Sequence, residues 1–133
     1  MKYAFWPGCV ARGATPELYK STMAVAKHIG MELDELEAGV CTGAGIISDA
    51  DPYVQDVLNA RTLAIAEQKG LPLMDICSTC VGVHSLAREK LENADFRDRI
   101  NERLAPDGLH YSGTVEPRHL LWIILEDLEA GQL

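Results

Sequence analysis

The chain lacks several features that would assign it to a specialised class of protein. Its longest apolar run, Leu120 to Leu125, is far shorter than the roughly 20 residues that span a bilayer. No basic cluster is present, and 12 basic against 20 acidic residues give a formal net charge of -8, which disfavours nucleic acid as a partner. No apolar signal-peptide region precedes Pro7. We therefore expect a cytoplasmic protein that neither crosses a membrane nor binds nucleic acid.

Cysteine is scarce, with 4 residues among 133. A domain of this length buries a sufficient core without disulfide bonds, so the cysteines are not needed to hold the fold together. Thiols in the cytoplasm stay reduced, and a small group of them there more often serves metal or redox chemistry than structure. The alternative is that each cysteine is buried simply as a small apolar side chain.

Short apolar segments alternate with helical patterns along the chain. This order predicts an α/β domain over residues 1–133, built on a small, mostly parallel sheet with flanking helices. The predicted strands are residues 3–6, 31–36 and 71–76. Helices are predicted from Pro16 to Gly30, from Pro52 to Gly70, from Cys80 onward, after a cap at Asp95, and from Pro117 to Gly131.

The cysteines fall where the predicted strands end. Cys9 follows the first strand, Cys41 lies in a glycine-rich loop after the second, and Cys77 and Cys80 join the third strand to its helix. Ligands of open parallel sheets bind beyond the carboxyl ends of the strands, so we expect all four thiols to be neighbours. Gly43 and Gly45 are candidate cofactor-binding positions because glycine lets the backbone approach a ligand closely.

Cys77 and Cys80 have the two-residue spacing that lets both sulfurs face one metal or form a reducible disulfide. The helix start that follows a strand stabilises thiolate through backbone N–H groups and the helix dipole. His84 lies one helical turn beyond Cys80, and we expect it to face solvent rather than to serve a sulfur.

These residues together resemble a known family. Cys9, then 31 residues to Cys41-Thr42-Gly43, and finally Cys77-Ser78-Thr79-Cys80, are similar to the CCG cysteine-rich domain of the B-type subunit of heterodisulfide reductase. Residues 3–9 and 113–121 also resemble that protein. Family members usually carry two such domains in tandem, so the chain resembles the N-terminal half alone.

The resemblance implies a ligand set. A full CCG motif binds a non-cubane iron–sulfur cluster through five cysteines, and here Cys9, Cys41, Cys77 and Cys80 match four of them. Thr42 holds the fifth position, where a hard hydroxyl replaces a soft thiolate poorly. We therefore favour a four-thiolate 4Fe–4S cluster over the five-thiolate form, with a 2Fe–2S cluster or zinc as alternatives.

The function implied is that of an iron–sulfur subunit or domain of a heterodisulfide reductase-like complex, an oxidoreductase that passes electrons to or from a thiol, disulfide or sulfur substrate. The implied partners are flavin-containing and ferredoxin-like subunits and a second CCG domain. Two alternatives remain open. One is a structural zinc module of such a complex, and the other is a metal-free dithiol oxidoreductase that uses Cys77 and Cys80.

Overall fold

The structure of the chain is a computed structural model that describes residues 1–129. Four parallel strands form one sheet in the order β2-β1-β3-β4. The carboxyl ends of β1, β3 and β4 are level, since Trp6 pairs with Asp75 and Asp75 pairs with His119. The strand bounds are Lys2–Trp6 for β1, Glu32–Glu35 for β2, Leu73–Asp75 for β3 and Pro117–His119 for β4. The predicted fold class, α/β with a parallel sheet, is confirmed.

Seven α-helices are present in the described part of the chain, with a short 3-10 helix at Ala105–Asp107. None of these helices has both the length and the apolar composition that a membrane crossing requires. Their bounds are Cys9–Gly13 for α1, Pro16–His28 for α2, Ile47–Ala50 for α3, Pro52–Lys69 for α4, Ser78–Lys90 for α5, Ala94–Leu104 for α6 and Leu120–Glu129 for α7.

Helices cover both faces of the sheet. Strand β1 is accordingly apolar at every buried position, since its side chains face a helix layer on either side. Its side chains alternate, so that Tyr3 and Phe5 pack against α1, α2 and α7, whereas Ala4 and Trp6 pack against α4, α5 and α6. A parallel sheet that is buried on both faces reads as a continuous apolar run, which explains the composition of residues 3–6.

The connections that follow β1 and β3 run over opposite faces of the sheet. The chain passes from β1 through α1 and α2 to β2, and from β3 through α5 and α6 to β4 on the other side. The point between β1 and β3, where the strand order reverses, is where open α/β sheets form a binding crevice. The fold therefore directs the loops after β1, β2 and β3 to one end of the sheet.

Three helix predictions need correction, and two short α-helices were not predicted. Pro117 opens β4 rather than the last helix, since proline is tolerated at the first residue of an edge strand, and the helix begins at Leu120. Helix α5 begins at Ser78 with Cys77 as its N-cap, slightly earlier than predicted. Helix α6 is capped by the Asn93 side chain instead of Asp95, and helices α1 and α3 were not predicted. The predicted helix end at Gly131 lies outside the described residues.

Tyr3 joins strand β1 to helix α7 through a buried hydrogen bond. Its hydroxyl donates a hydrogen bond to Asp127 Oδ2 at 3.1 Å, and both side chains are buried. The pKa of Tyr3 is raised to about 12, first by burial and then by the hydrogen bond and negative charge of Asp127, against a smaller lowering by Arg118. The phenol therefore keeps its proton in the folded chain well above the pH at which a free tyrosine ionises.

This bond predicts a pH dependence of stability. Because the folded pKa is above the unfolded value of about 10, the contribution of Tyr3 is complete below pH ~10 and is lost as the pH rises toward ~12. Tyr3→Phe should lower the free energy of unfolding by about 1 kcal/mol at pH 7. The variant should also lack the loss of stability that the wild-type chain shows as the pH rises from ~10 to ~12. Urea unfolding at pH 7 and pH 11 measures both. The half-buried Tyr53→Phe is the control, and an equal pH dependence in all three proteins would contradict the assignment.

Candidate metal and redox site

The first cysteine is placed by a tight turn after β1. Gly8 has a φ of 84°, a conformation that residues with a side chain rarely adopt, and Cys9 then begins α1. A Cβ atom at position 8 would lie 3.4 Å from Cys80 Sγ and 3.9 Å from Cys77 Cβ. Gly8 thus lets the backbone before Cys9 pack against Cys77 and Cys80. The sequence predicted a turn at Gly8 but not this contact.

Cys9 and Cys41 form an exposed pair at the end of the sheet. Their Sγ atoms are 3.8 Å apart, and both residues are exposed to solvent. The backbone N–H of Gly43 donates to Cys41 Sγ at 3.4 Å, which orients this sulfur toward Cys9. The pair therefore joins the loop after β1 to the loop after β2.

Cys77 and Cys80 form a second, less accessible pair. Cys77 caps α5, whereas Cys80 in its first turn is only 7% exposed. The hydroxyl of Thr42 lies 4.0 Å from Cys80 Sγ, at the outer limit of an O–H···S hydrogen bond. Since Thr42 adjoins Cys41 and Gly8 adjoins Cys9, the loops that carry the exposed pair approach Cys80.

The surroundings of two of the thiols, Cys80 and Cys9, favour the protonated form. The pKa of Cys80 is raised to about 12, first by burial and then by Cys77 and the charge of Asp75, whereas the Thr42 hydroxyl lowers it. The pKa of Cys9 is also raised, first by its hydrogen bond with Cys41 and then by burial. Thiolate is the form that binds metal, so a metal ion at this site must displace these protons and would supply the positive charge that stabilises the anions.

The donor set fits a metal centre, with one restriction. Sulfurs around one tetrahedral metal at about 2.3 Å are roughly 3.8 Å apart, which equals the observed Cys9–Cys41 separation. Within residues 1–129, however, no three or more cysteine, histidine, aspartate or glutamate side chains are grouped closely enough to hold one ion. The arrangement is thus two pairs of soft donors, which suits a polynuclear iron–sulfur cluster better than a preformed zinc tetrahedron.

The two predicted glycine positions differ in their surroundings. Gly43 has a φ of 75°, and a Cβ there would lie 2.8 Å from Ile47 Cβ, so a side chain is excluded at this position. Its backbone N–H donates a hydrogen bond to Cys41 Sγ. Gly45 donates its N–H to Ser48 Oγ at 3.1 Å and has open space around its Cα. Gly43 therefore contacts a cysteine directly, and the cofactor-binding roles of Gly43 and Gly45 both stay predictions.

His84 is fully buried, so the prediction that it faces solvent is wrong. Its Nδ1 lies 2.9 Å from Oδ2 of the equally buried Asp75, the last residue of β3, and an ionised carboxylate can only accept this hydrogen bond. Asp75 Oδ1 and His84 Nε2 have no hydrogen-bond partner in the described part of the chain. The helical spacing from Cys80 to His84 is the signal that could have placed both on the buried face of α5.

Breaking this pair should be costly because it leaves a buried carboxylate without its donor. His84→Leu is expected to lower the free energy of unfolding of the metal-free chain by about 3 kcal/mol or more. His28→Leu, at an exposed histidine, should change it little. Urea denaturation followed by circular dichroism measures the difference. The double variant Asp75→Leu/His84→Leu should recover part of the loss, and equal costs for His84→Leu and His28→Leu would refute the role of the pair.

The fold and the site together define a doubly wound α/β domain with four cysteines gathered at the carboxyl ends of its parallel strands. A sequence model of the cysteine-rich domain family CCG matches residues 3–83. The chain belongs to the family of CCG cysteine-rich domains, and the resemblance inferred from the cysteine spacing is confirmed.

Two known proteins are similar to this chain over nearly its whole length. The chain is 40% identical over 128 residues to the 8-methylmenaquinol:fumarate reductase membrane anchor subunit of Wolinella succinogenes, covering 96% of this chain and 45% of the relative. It is 32% identical to a heterodisulfide reductase B-like protein of Archaeoglobus profundus, covering 100% of this chain and 45% of the relative. The chain thus spans about half the length of the relatives that it matches.

A solved structure shares the fold. The crystal structure of a hypothetical protein from Helicobacter pylori superimposes with a TM-score of 0.84 over 94% of this chain and 25% of the other. Its sequence identity is 20%, so the likeness concerns the fold alone.

Proposed function

We propose that residues 1–133 are one CCG-type domain that binds an iron–sulfur cluster in an oxidoreductase complex of the heterodisulfide reductase kind. The observation that carries the proposal is the pair of Cys9 and Cys41, with sulfurs 3.8 Å apart, at the same end of the sheet as Cys77 and Cys80. The names of the two relatives, one a fumarate reductase subunit and the other a heterodisulfide reductase-like protein, support a redox complex.

In this proposal the four cysteines are the cluster ligands, and the donor set suits a 4Fe–4S or a 2Fe–2S cluster. When bound, the cluster would accept and release single electrons. The protein's own contribution is to exclude water from Cys80, to orient Cys41 through the Gly43 N–H, and to bring the backbone at Gly8 against the cluster side of α5. Loss of any one thiolate should weaken cluster binding.

The cysteine ligands can be tested one at a time. Cys9→Ser is expected to weaken iron binding by about tenfold or more, since even residues that only orient a metal ligand contribute roughly 10–100-fold. Ser78→Ala, which removes an exposed hydroxyl beside Cys77, is the matched control and should keep the wild-type iron and sulfide content. Iron and acid-labile sulfide analysis after purification without oxygen gives the result. Full cluster content in Cys9→Ser would overturn the ligand assignment.

Thr42 is expected to determine which cluster forms. Its hydroxyl is buried and lies 4.0 Å from Cys80 Sγ, so a cysteine at this position would add a fifth thiolate beside the buried pair. Thr42→Cys should change the visible and electron paramagnetic resonance spectra of the bound cluster, because a fifth thiolate alters its coordination. Thr42→Ser keeps the hydroxyl and should retain the wild-type spectra. Identical spectra for the two variants would show that position 42 does not bind the cluster.

The proposed reaction is electron transfer to or from a thiol, disulfide or sulfur substrate within a cytoplasmic complex. The partners we propose are flavin-containing and ferredoxin-like subunits and a second CCG domain. The length of the relatives, more than twice this chain, supports a second domain, and the exposed apolar side chains Leu121, Trp122 and Leu125 on α7 offer it a surface. Reoxidation of the reduced protein by a disulfide, followed by absorbance, tests the reaction; absence of any reoxidation in the reconstituted complex would contradict it.

A structural zinc module is the second candidate, favoured by the Cys9–Cys41 separation that matches the edge of a tetrahedral thiolate site. It requires Cys77 and Cys80 to move toward the exposed pair, because all four sulfurs must surround one ion. Stable zinc, without the visible absorption of an iron–sulfur cluster, would select it. The metal-free dithiol alternative is weakened by Cys80, whose pKa is raised to about 12, because a working dithiol needs a lowered thiolate pKa.

A further inference from the structure

The spacing of Cys77 and Cys80 would allow a disulfide between these two residues, but solvent accessibility favours another pair. An external oxidant must reach a sulfur before a disulfide can form. Cys80 is 7% exposed, covered by the backbone at Gly8 and by Thr42. In the pair of Cys9 and Cys41, both residues are exposed, so an oxidant can reach either sulfur.

The geometry of the exposed pair is close to that of a bond. The two Sγ atoms are 3.8 Å apart, compared with a disulfide length of about 2.05 Å. Cys41 lies in an irregular segment between β2 and α3, outside any helix or strand, so its sulfur can approach Cys9 without breaking a regular element. The Gly43 N–H donates a hydrogen bond to the Cys41 sulfur at 3.4 Å.

We infer that the metal-free chain forms a reversible disulfide between Cys9 and Cys41 in the presence of a low-molecular-weight disulfide. One thiolate attacks the external disulfide, which forms a mixed disulfide and releases one thiol. The other thiolate then attacks the protein sulfur, which closes the Cys9–Cys41 bond and releases the second thiol. Two electrons pass from the two protein thiols to the external disulfide, and the two protons end on the released thiols.

This disulfide has a consequence for the proposed metal site, and that consequence alone rests on the proposed function. Formation of the bond removes two of the four thiolates, and Cys77 and Cys80 cannot hold a four-thiolate cluster by themselves. The oxidised chain should therefore take up no iron until a dithiol reductant restores Cys9 and Cys41. Bond formation itself needs no metal, so its test is independent of whether the chain binds a cluster.

The experiment treats the metal-free chain with oxidised glutathione, followed by thiol counting and peptide mapping by mass spectrometry without reduction. The expected result is loss of two of the four thiols and a cross-link between the peptides that contain Cys9 and Cys41. Cys9→Ser removes one of the two sulfurs and should abolish the cross-link, whereas Cys77→Ser should leave the Cys9–Cys41 cross-link within about twofold of the wild-type yield.

Circular dichroism checks that each variant is folded, which is expected for Cys9→Ser because Cys9 is exposed. A cross-link between Cys77 and Cys80, glutathione adducts without a cross-link, or four unchanged thiols would each overturn the inference. If the Cys9–Cys41 bond forms in a chain that binds no iron after reduction, the disulfide stands and the proposed cluster function fails.

Discussion

The site depends on one constraint, the parallel pairing of the buried strand β1 with β2 on one side and β3 on the other. Parallel pairing in level register puts the carboxyl ends of all three strands at the same edge of the sheet. The residues after these strands carry every cysteine of the chain, with the helix that follows β3 contributing the last one. Burial of β1 on both faces thus brings together thiols that are as much as 71 positions apart in sequence.

The four thiols are not equivalent, and the difference has a structural cause. Cys80 points inward from the first turn of α5, the same helical face that buries His84 against Asp75, whereas Cys9 and Cys41 lie at the surface. Burial disfavours a thiolate unless a positive charge is near, so the inner pair is suited to hold metal and the outer pair to meet solvent. We therefore propose that one site binds metal in the reduced chain and forms a disulfide when an oxidant is present.

The fold class, the cysteine-bearing loops and the family could be predicted because each leaves a local signal, such as apolar runs, glycines and the Cys77–Cys80 spacing. The sequence carries a weaker signal for which side chains face the core. The buried state of His84 and the close approach of Gly8 to Cys80 depend on which face of α5 meets the sheet. Strand β4 was missed because its three residues are set by pairing with β3, which no local pattern of residues 117–119 reveals.

The central claim, that the four cysteines hold one iron–sulfur centre, is tested most directly by the metal and sulfide content of the wild-type chain purified without oxygen. We expect iron with acid-labile sulfide in cluster stoichiometry, together with visible charge-transfer absorption. Zinc as the sole metal, or a chain that binds no metal after anaerobic reconstitution with iron and sulfide, would contradict it.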